Sequence, residues 1–338
     1  MRVRLRDVAA RAGVSEATVS RVLNERPNVS ARTKAVVLDA LRALDGPMPG
    51  GRPRPTAQRT GLVAILMPDL DNPIFPVMAQ LLTARLASKD HPSVIARCGT
   101  ASEEPQMLET LAAAGVAAMI VVSGAHADTT ADMAPYQHLL DTGVTMAFVN
   151  GFRRDLVAPF VSCDDRHAAA LAVRHLVSLG HRRIGFVSGP HRHTVVQRKV
   201  AGYRAALKAA GIDRDESLVV ETIFSAEAGH AAVEGLLECG ATAAVAASDM
   251  VALGTIRGAR DLGLEVPRQW SVTGYDDTAL MAYTDPPLTT IRQPVRAMCD
   301  AAADIVSDRL AGRPTRNGEF LFRPELVVRS STAPLADP

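Results

Sequence analysis

The sequence predicts an all-α helix-turn-helix head followed by an α/β body of two doubly wound lobes. Three observations carry that expectation. First, 338 residues exceed what one ordinary hydrophobic core holds, so the chain divides into domains. Second, the charge divides with it. The formal net charge is +1, yet residues 1–60 hold 12 of the 37 Lys and Arg and 5 of the 36 Asp and Glu, about +7, leaving about −6 on the rest. Third, from Gly61 onward short apolar runs alternate with helical stretches in two successive series.

In the head, Val8, Ala9 and Ala12 lie at i, i+1 and i+4 and give a short helix with one apolar face. Gly13 follows where a left-handed residue ends such a helix, and Ser15 offers an N-cap oxygen to the next. That second helix buries Val19, Val22 and Leu23 and leaves Glu16, Ala17, Ser20, Arg21 and Asn24 on its other faces. A third begins at Ser30 and packs through Val36, Val37, Ala40, Leu41 and Leu44. Two short helices joined by a Gly-containing turn form the unit whose second helix enters the major groove of double-stranded DNA. Arg21 suits a guanine edge, Glu16 a cytosine amino group and Ala17 a thymine methyl. Ser15, Thr18, Asn28, Ser30 and Thr33 stand near helix N-termini, where hydroxyls and amides favour phosphate, and Asn24 follows on the second helix. Thr18 serves equally well as a packing residue. A three-helix bundle without a DNA partner shares the apolar pattern, and the local positive charge favours DNA.

In the body, GLVAILM, SVIAR, AAMIVVS and TMAFVN are separated by helical segments near 75–88, 103–114 and 131–142. FVSC, RIGFVSG, LVVETI, TAAVAASD and SVTGYDD form the second series, with helices near 166–179, 197–210, 226–239 and 249–262. Continuous apolar strands between helices belong to parallel sheets covered on both faces, and two series make two lobes. Open sheets of this kind bind ligands at the C-terminal ends of their strands, where Asp69, Asn72, Asn150, Ser248, Asp249 and Asp276 fall.

Other classes are excluded or disfavoured. With 47% hydrophobic and 22% charged residues the chain is globular, and no apolar run reaches bilayer length. The N-terminus lacks a signal-peptide core, so a cytoplasmic protein is expected. Cys98, Cys163, Cys239 and Cys299 are scattered and read as reduced thiols. No cofactor or metal is expected: His191-Arg192-His193 reads as a solvated loop, and Asp164-Asp165 as carboxylates stabilising a helix N-terminus. No nucleotide-binding or nucleophile-elbow motif occurs, and no enzymatic constellation assembles.

The stretch RDVAARAGVSEATVSRVLN followed by VSARTKAVVLDAL resembles the DNA-binding head of the LacI family of bacterial transcriptional regulators. HLVSLGHRRIGFVSG, KVAGYRAAL, SDMVALGTIRGARDLGLEVPRQWSVTGYDD and PPLTTIRQP resemble that family's effector domain, so the likeness covers nearly the whole chain. It implies a periplasmic-binding-protein-like core. The expected division is a head at 1–45, a linker at 46–60 and an effector-binding and dimerisation domain at 61–330. Within it, lobe 1 spans about 61–160 and 293–320, and lobe 2 about 161–290 and 323–330. The implied function is a repressor, a homodimer on an inverted-repeat operator, controlled by a small molecule in the cleft. A sugar is the favoured effector. A purine-type or other metabolite acting as corepressor, or a non-regulatory carbohydrate-binding protein, are the alternatives.

The resemblance also assigns residues. Asp276 matches the effector-binding acid, Asn150 a position that contacts ligand, and Phe224 an aromatic that stacks on it. Asn72 and Phe75 belong to the loop that lines the cleft. Lys199, with Arg198 beside it, stands where the family has Arg, and Ser248, ahead of Asp249, where Asn is common. An Arg fork and a Lys point charge are not interchangeable. Phe75 and Phe224 read equally as core, and Asp249 and Asp276 as helix caps. The linker departs most. In the family it is a hinge helix that inserts a leucine into the minor groove. Here DGPMPGGRPRPTAQRT has no leucine and four prolines, which cannot form a continuous helix. An extended arm placing Arg52, Arg54 and Arg59 along the DNA is the alternative, an inert tether the other.

Overall fold

The computed structural model describes residues 5–23, 29–30, 33–34, 36–37, 40, 61–99 and 102–335. The linker, Asn24, Asn28, Leu41, Leu44, Arg52, Arg54 and Arg59 lie outside the described residues. The chain forms two compact units, Met1–Arg59 and Thr60–Pro338.

In the first unit, α1 spans Leu5–Ala12 and α2 spans Glu16–Leu23. Gly13 between them has φ +65°, the conformation that a glycine adopts without steric cost. The Ser15 hydroxyl accepts from the Thr18 amide at 3.2 Å, satisfying one orphan donor at the start of α2. Ser30 repeats the device, accepting from the Thr33 amide at 3.1 Å ahead of further helical residues. Val8, Ala9, Ala12, Val19, Val22, Val37 and Ala40 bury one small core. Val36 differs from expectation: it is 43% exposed, because Val37 and Ala40 already supply the buried face.

The second unit contains, in chain order, β1 (Val63–Met67), α3 (Ile74–Ala87), β2 (Ser93–Arg97), α4 (Glu104–Ala113), β3 (Ala118–Val122), α5 (Ala134–Asp141), β4 (Thr145–Val149), β5 (Pro159–Cys163), α6 (Asp165–Ser178), β6 (Ile184–Ser188), α7 (Thr194–Ala209), β7 (Val219–Glu221), α8 (Ala226–Glu238), β8 (Ala243–Ala246), α9 (Asp249–Asp261), β9 (Ser271–Asp276), β10 (Thr289–Arg292), α10 (Val295–Leu310), β11 (Gly318–Phe322) and β12 (Glu325–Val327). They make two six-stranded sheets, ordered β11-β5-β4-β3-β1-β2 and β12-β10-β9-β8-β6-β7. All pairings are parallel except β10 with β12. One expectation is corrected: β5, the FVSC run, does not open the second sheet but pairs with β4 and β11 in the first. The chain passes between lobes after β5, after β10 and after β11.

Both faces of each sheet are covered. Along β1, Val63, Ile65 and Met67 join one apolar cluster while Ala64 and Leu66 join another, which is why the strand reads as a continuous apolar run. The first of those clusters continues into the second lobe through Ile184, Phe186 and Tyr203. Gly202 draws α7 onto α6, since an added Cβ would stand 2.1 Å from the Arg166 carbonyl oxygen. No helix among the described residues is long and apolar enough to cross a membrane.

Candidate functional site

In the head, Ser15, Glu16, Ala17 and Arg21 are exposed on or beside the first turns of α2, and Thr18 is half-buried. Ser30 is exposed and Thr33 half-buried at the next helical start. Helix starts with hydroxyls beside them suit phosphate, and the exposed side chains suit base edges.

In the body, a cavity of about 550 Å³ opens at the C-terminal strand ends of both sheets. Each wall comes from a strand-to-helix turn. After β1, the Asp69 carboxylate accepts from the Asp71 and Asn72 amides at 3.1 Å, and Asn72 Oδ1 accepts from the Ile74 amide at 3.2 Å, fixing the loop that carries Phe75. After β4 and at the end of β9 the backbone is forced: Asn150 has φ +60° and Asp276 φ +129°, conformations that non-glycine residues rarely adopt. Such strain persists where the surroundings enforce it, and it gathers at ligand sites. Phe224, 37% exposed, lies over Gly189, whose added Cβ would come within 2.3 Å of the ring.

The floor is polar and buried. Gln293 Nε2 donates to Asp276 Oδ1 at 2.7 Å from the segment that crosses back to the first lobe. Burial pushes the Asp276 carboxyl up to about 6, while Lys199, Gln293 and Asn72 pull it down. Lys199 Nζ donates to the Ala247 carbonyl at 3.0 Å, stands 3.8 Å from Asp165 Oδ1 and lies 3.4 Å from the Tyr275 ring centre. The Tyr275 hydroxyl donates to Asp165 at 2.8 Å. Burial also raises the Asp165 carboxyl, against the pull of Lys199 and Tyr275.

The loop around 191–193 is half-buried to exposed but is tied down by specific contacts. Arg192 Nε donates to Asp128 Oδ2 at 2.7 Å, and the Arg192 carbonyl accepts from the Thr129 amide and hydroxyl at 2.8 and 2.9 Å. A backbone bridge pairs Asp128 with His193. The loop after β6 thereby clasps the loop after β3 across the mouth of the cleft.

Against this geometry stand the known proteins the chain is similar to. Residues 4–45 match the model of bacterial regulatory proteins of the lacI family, and residues 173–332 a periplasmic binding protein-like domain. The chain is 49% identical to the HTH-type transcriptional regulator reg1 of Streptomyces lividans, over 98% of this chain and 97% of that one. The chain belongs to the lacI family of bacterial regulatory proteins. Two solved structures share its fold. A transcriptional regulator CelR–cellobiose complex is 30% identical with a TM-score of 0.74, covering 98% of this chain and 100% of that one. The lac repressor dimer bound to operator and the anti-inducer ONPF is 27% identical with a TM-score of 0.71, at 98% and 100% coverage.

This lacI-family chain is thus an HTH-type transcriptional regulator with a periplasmic-binding-protein-like body. Of the effector residues read from its sequence, Asn72, Phe75, Asn150, Lys199, Phe224, Ser248 and Asp276 line the one cavity. Two do not. Arg198 turns away to make a two-pronged ion pair with Glu319 of β11, at 2.5 and 2.9 Å, which ties α7 to the other sheet. Asp249 is buried behind the floor, accepting from the Thr290 hydroxyl at 2.6 Å and the Thr278 amide at 3.2 Å. Its carboxyl is raised by burial and by Asp276. Ser248 lines the cavity and caps α9 as well, accepting from the Val251 amide at 3.3 Å.

Sequence reasoning missed Asp165, Tyr275, His193 and Gln293. Asp164 and Asp165 do stand at the N-terminus of α6 as expected: Asp164 caps it, accepting from the His167 amide at 3.0 Å, and Asp165 lies in its first turn, where it also meets Tyr275 and Lys199. Only the neighbouring position of Gln293 in PPLTTIRQP, a segment that crosses between lobes, offered a signal.

Proposed function

We propose that this regulator is a cytoplasmic, dimeric repressor of an inverted-repeat operator, with affinity set by an uncharged sugar in the body cavity and no catalytic step. The observation that carries the proposal is the make-up of the cavity. Carboxylates and amides (Asp276, Asp69, Asn72, Asn150) accept from and donate to hydroxyls, while Phe75 and Phe224 offer faces for a ring. Lys199 is engaged by Ala247 and Asp165 rather than left for an anionic group, and among the described residues that line the cavity acidic side chains prevail. A purine is the second reading, resting on the exposed face of Phe224.

The division proposed is a reading head at 1–45, a linker at 46–60 and an effector and dimerisation body at 61–330. Ser15, Glu16, Ala17, Thr18, Arg21, Asn24, Asn28, Ser30, Thr33, Arg52 and Arg54 form the DNA surface. Two heads on a two-fold axis read half-sites about one helical turn apart. Val77 on α3 and Val94 and Ile95 on the edge strand β2, each 38–44% exposed, supply an apolar face for pairing. Sugar binding favours one degree of lobe closure and so shifts operator affinity.

The test is a mobility-shift assay on the DNA upstream of the gene, with and without a panel of neutral sugars. A shift that one sugar alters is expected. Failure to shift any inverted-repeat DNA overturns the proposal.

A further inference from the structure

Beside the main cavity lies a second space of about 310 Å³ that the sequence gives no hint of. It sits at the C-terminal ends of β1 and β3, against Met67, Val121 and Gly124. In the first sheet β1 has β3 on one side and β2 on the other, so the winding of the chain reverses there. The crevice at such a reversal is where open α/β sheets take their ligands. Pro68, Ser123 and His193 line both spaces, which therefore adjoin.

The second chamber carries its own polar groups. Glu104, 3% exposed, accepts from the Tyr136 hydroxyl and, at 2.8 Å, from the Ala125 amide, which aims and holds its carboxyl. Across the chamber stand Asp128 and Arg192, the two halves of the clasp between the lobes. Two carboxyls and a guanidinium around a small cleft match a ring bearing hydroxyls on several sides, and the carboxyls disfavour a phosphate. The two spaces together stay within the ~300–1,000 Å³ typical of a site for one multi-ring ligand.

We propose that this chamber is a subsite for a further ring of an oligosaccharide whose first ring lies beside Asp276. The effector is then a neutral oligosaccharide of at least two rings, and the clasp closes over the chamber that holds the second. This rests on the reading of the main cavity as a sugar site.

Calorimetric titration of the full-length protein with neutral hexoses and their α- and β-linked di- and trisaccharides tests it, on wild type, Ala125→Leu and Glu104→Gln. Ala125 lines only the second chamber, so Leu there fills it. In wild type, a disaccharide binds at least about tenfold more tightly than its hexose, the gain of one charge-assisted hydrogen bond or more. Ala125→Leu removes that gain and leaves hexose affinity unchanged. Glu104→Gln lowers disaccharide affinity alone, which keeps the test sound should the bulkier variant unfold. Affinity independent of chain length, or variants that weaken hexose and disaccharide equally, overturn the subsite while leaving the sugar reading intact. Binding of no sugar of any length by wild type overturns both.

Discussion

Arg192 Nε donates to Asp128 Oδ2 at 2.7 Å, joining residues 64 positions apart and closing one lobe onto the other. Asp128 titrates below the ordinary carboxylate value. Burial pushes it up, but the Thr130 hydroxyl and amide, His193 and Arg192 outweigh that. Replacing Arg192 with Ala removes the ionic half of the clasp and leaves the backbone bridge. Since the Arg192 side chain is 57% exposed, its loss costs about 1 kcal/mol or less. The expected outcome is effector release faster by up to about fivefold with little change in melting temperature, measured by stopped-flow displacement.

Asp276 is held by Gln293 at the cavity floor. Asp276→Asn should weaken effector binding by about 2–3 kcal/mol, on the order of a hundredfold, through loss of hydrogen bonds to a charged acceptor. Operator affinity without effector should stay unchanged, because the head is a separate compact unit. Parallel calorimetry and anisotropy titrations check both halves.

The same carboxyl should make effector binding pH-dependent. On the proposed reading ionised Asp276 accepts from sugar hydroxyls, so affinity should fall as pH drops below about 6, approaching tenfold per pH unit. Its effect on stability has the opposite sign. The folded carboxyl sits above its ordinary 3.8, so the stabilisation it lends is complete below that value and lost as pH rises through about 6. Asp276→Asn should therefore raise the melting temperature at pH 7.5 and leave it nearly unchanged at pH 4. Thermal melts across that range decide it.

Gly202→Ala drives a Cβ into the Arg166 carbonyl, 2.1 Å away, and forces α7 off α6. Overpacking of this kind costs about 1–3 kcal/mol. Because Lys199 rides on the same helix, effector affinity should fall along with the denaturant midpoint, unlike in Arg192→Ala.

Periodicity made much of the secondary structure legible, since central strands such as β1 and β3 are unbroken apolar runs, whereas β9 and β10 bury Ser271, Thr273, Thr289 and Thr290 and show no such run. What it could not show is which sheet takes a strand. FVSC follows the first series closely enough to pair with β4, yet its composition matches either lobe. At the site, Asp276, Asn150 and Phe224 were readable because they sit at strand ends in recognisable segments. Asp165, Tyr275 and Gln293 were not, because their role arises from distant partners: Tyr275 meets Asp165 across 110 residues. The clasp was invisible for the same reason, and HRH alone resembles solvent-facing polar loop.

The proposed coupling of sugar and operator through one protein is measurable in both directions, because linkage is reciprocal. Operator affinity is determined with and without saturating sugar, and sugar affinity with and without operator, on the same protein. The predicted result is one common factor, on the order of 5–150-fold, appearing in both titrations. Sugar binding that leaves operator affinity unchanged would contradict the claim.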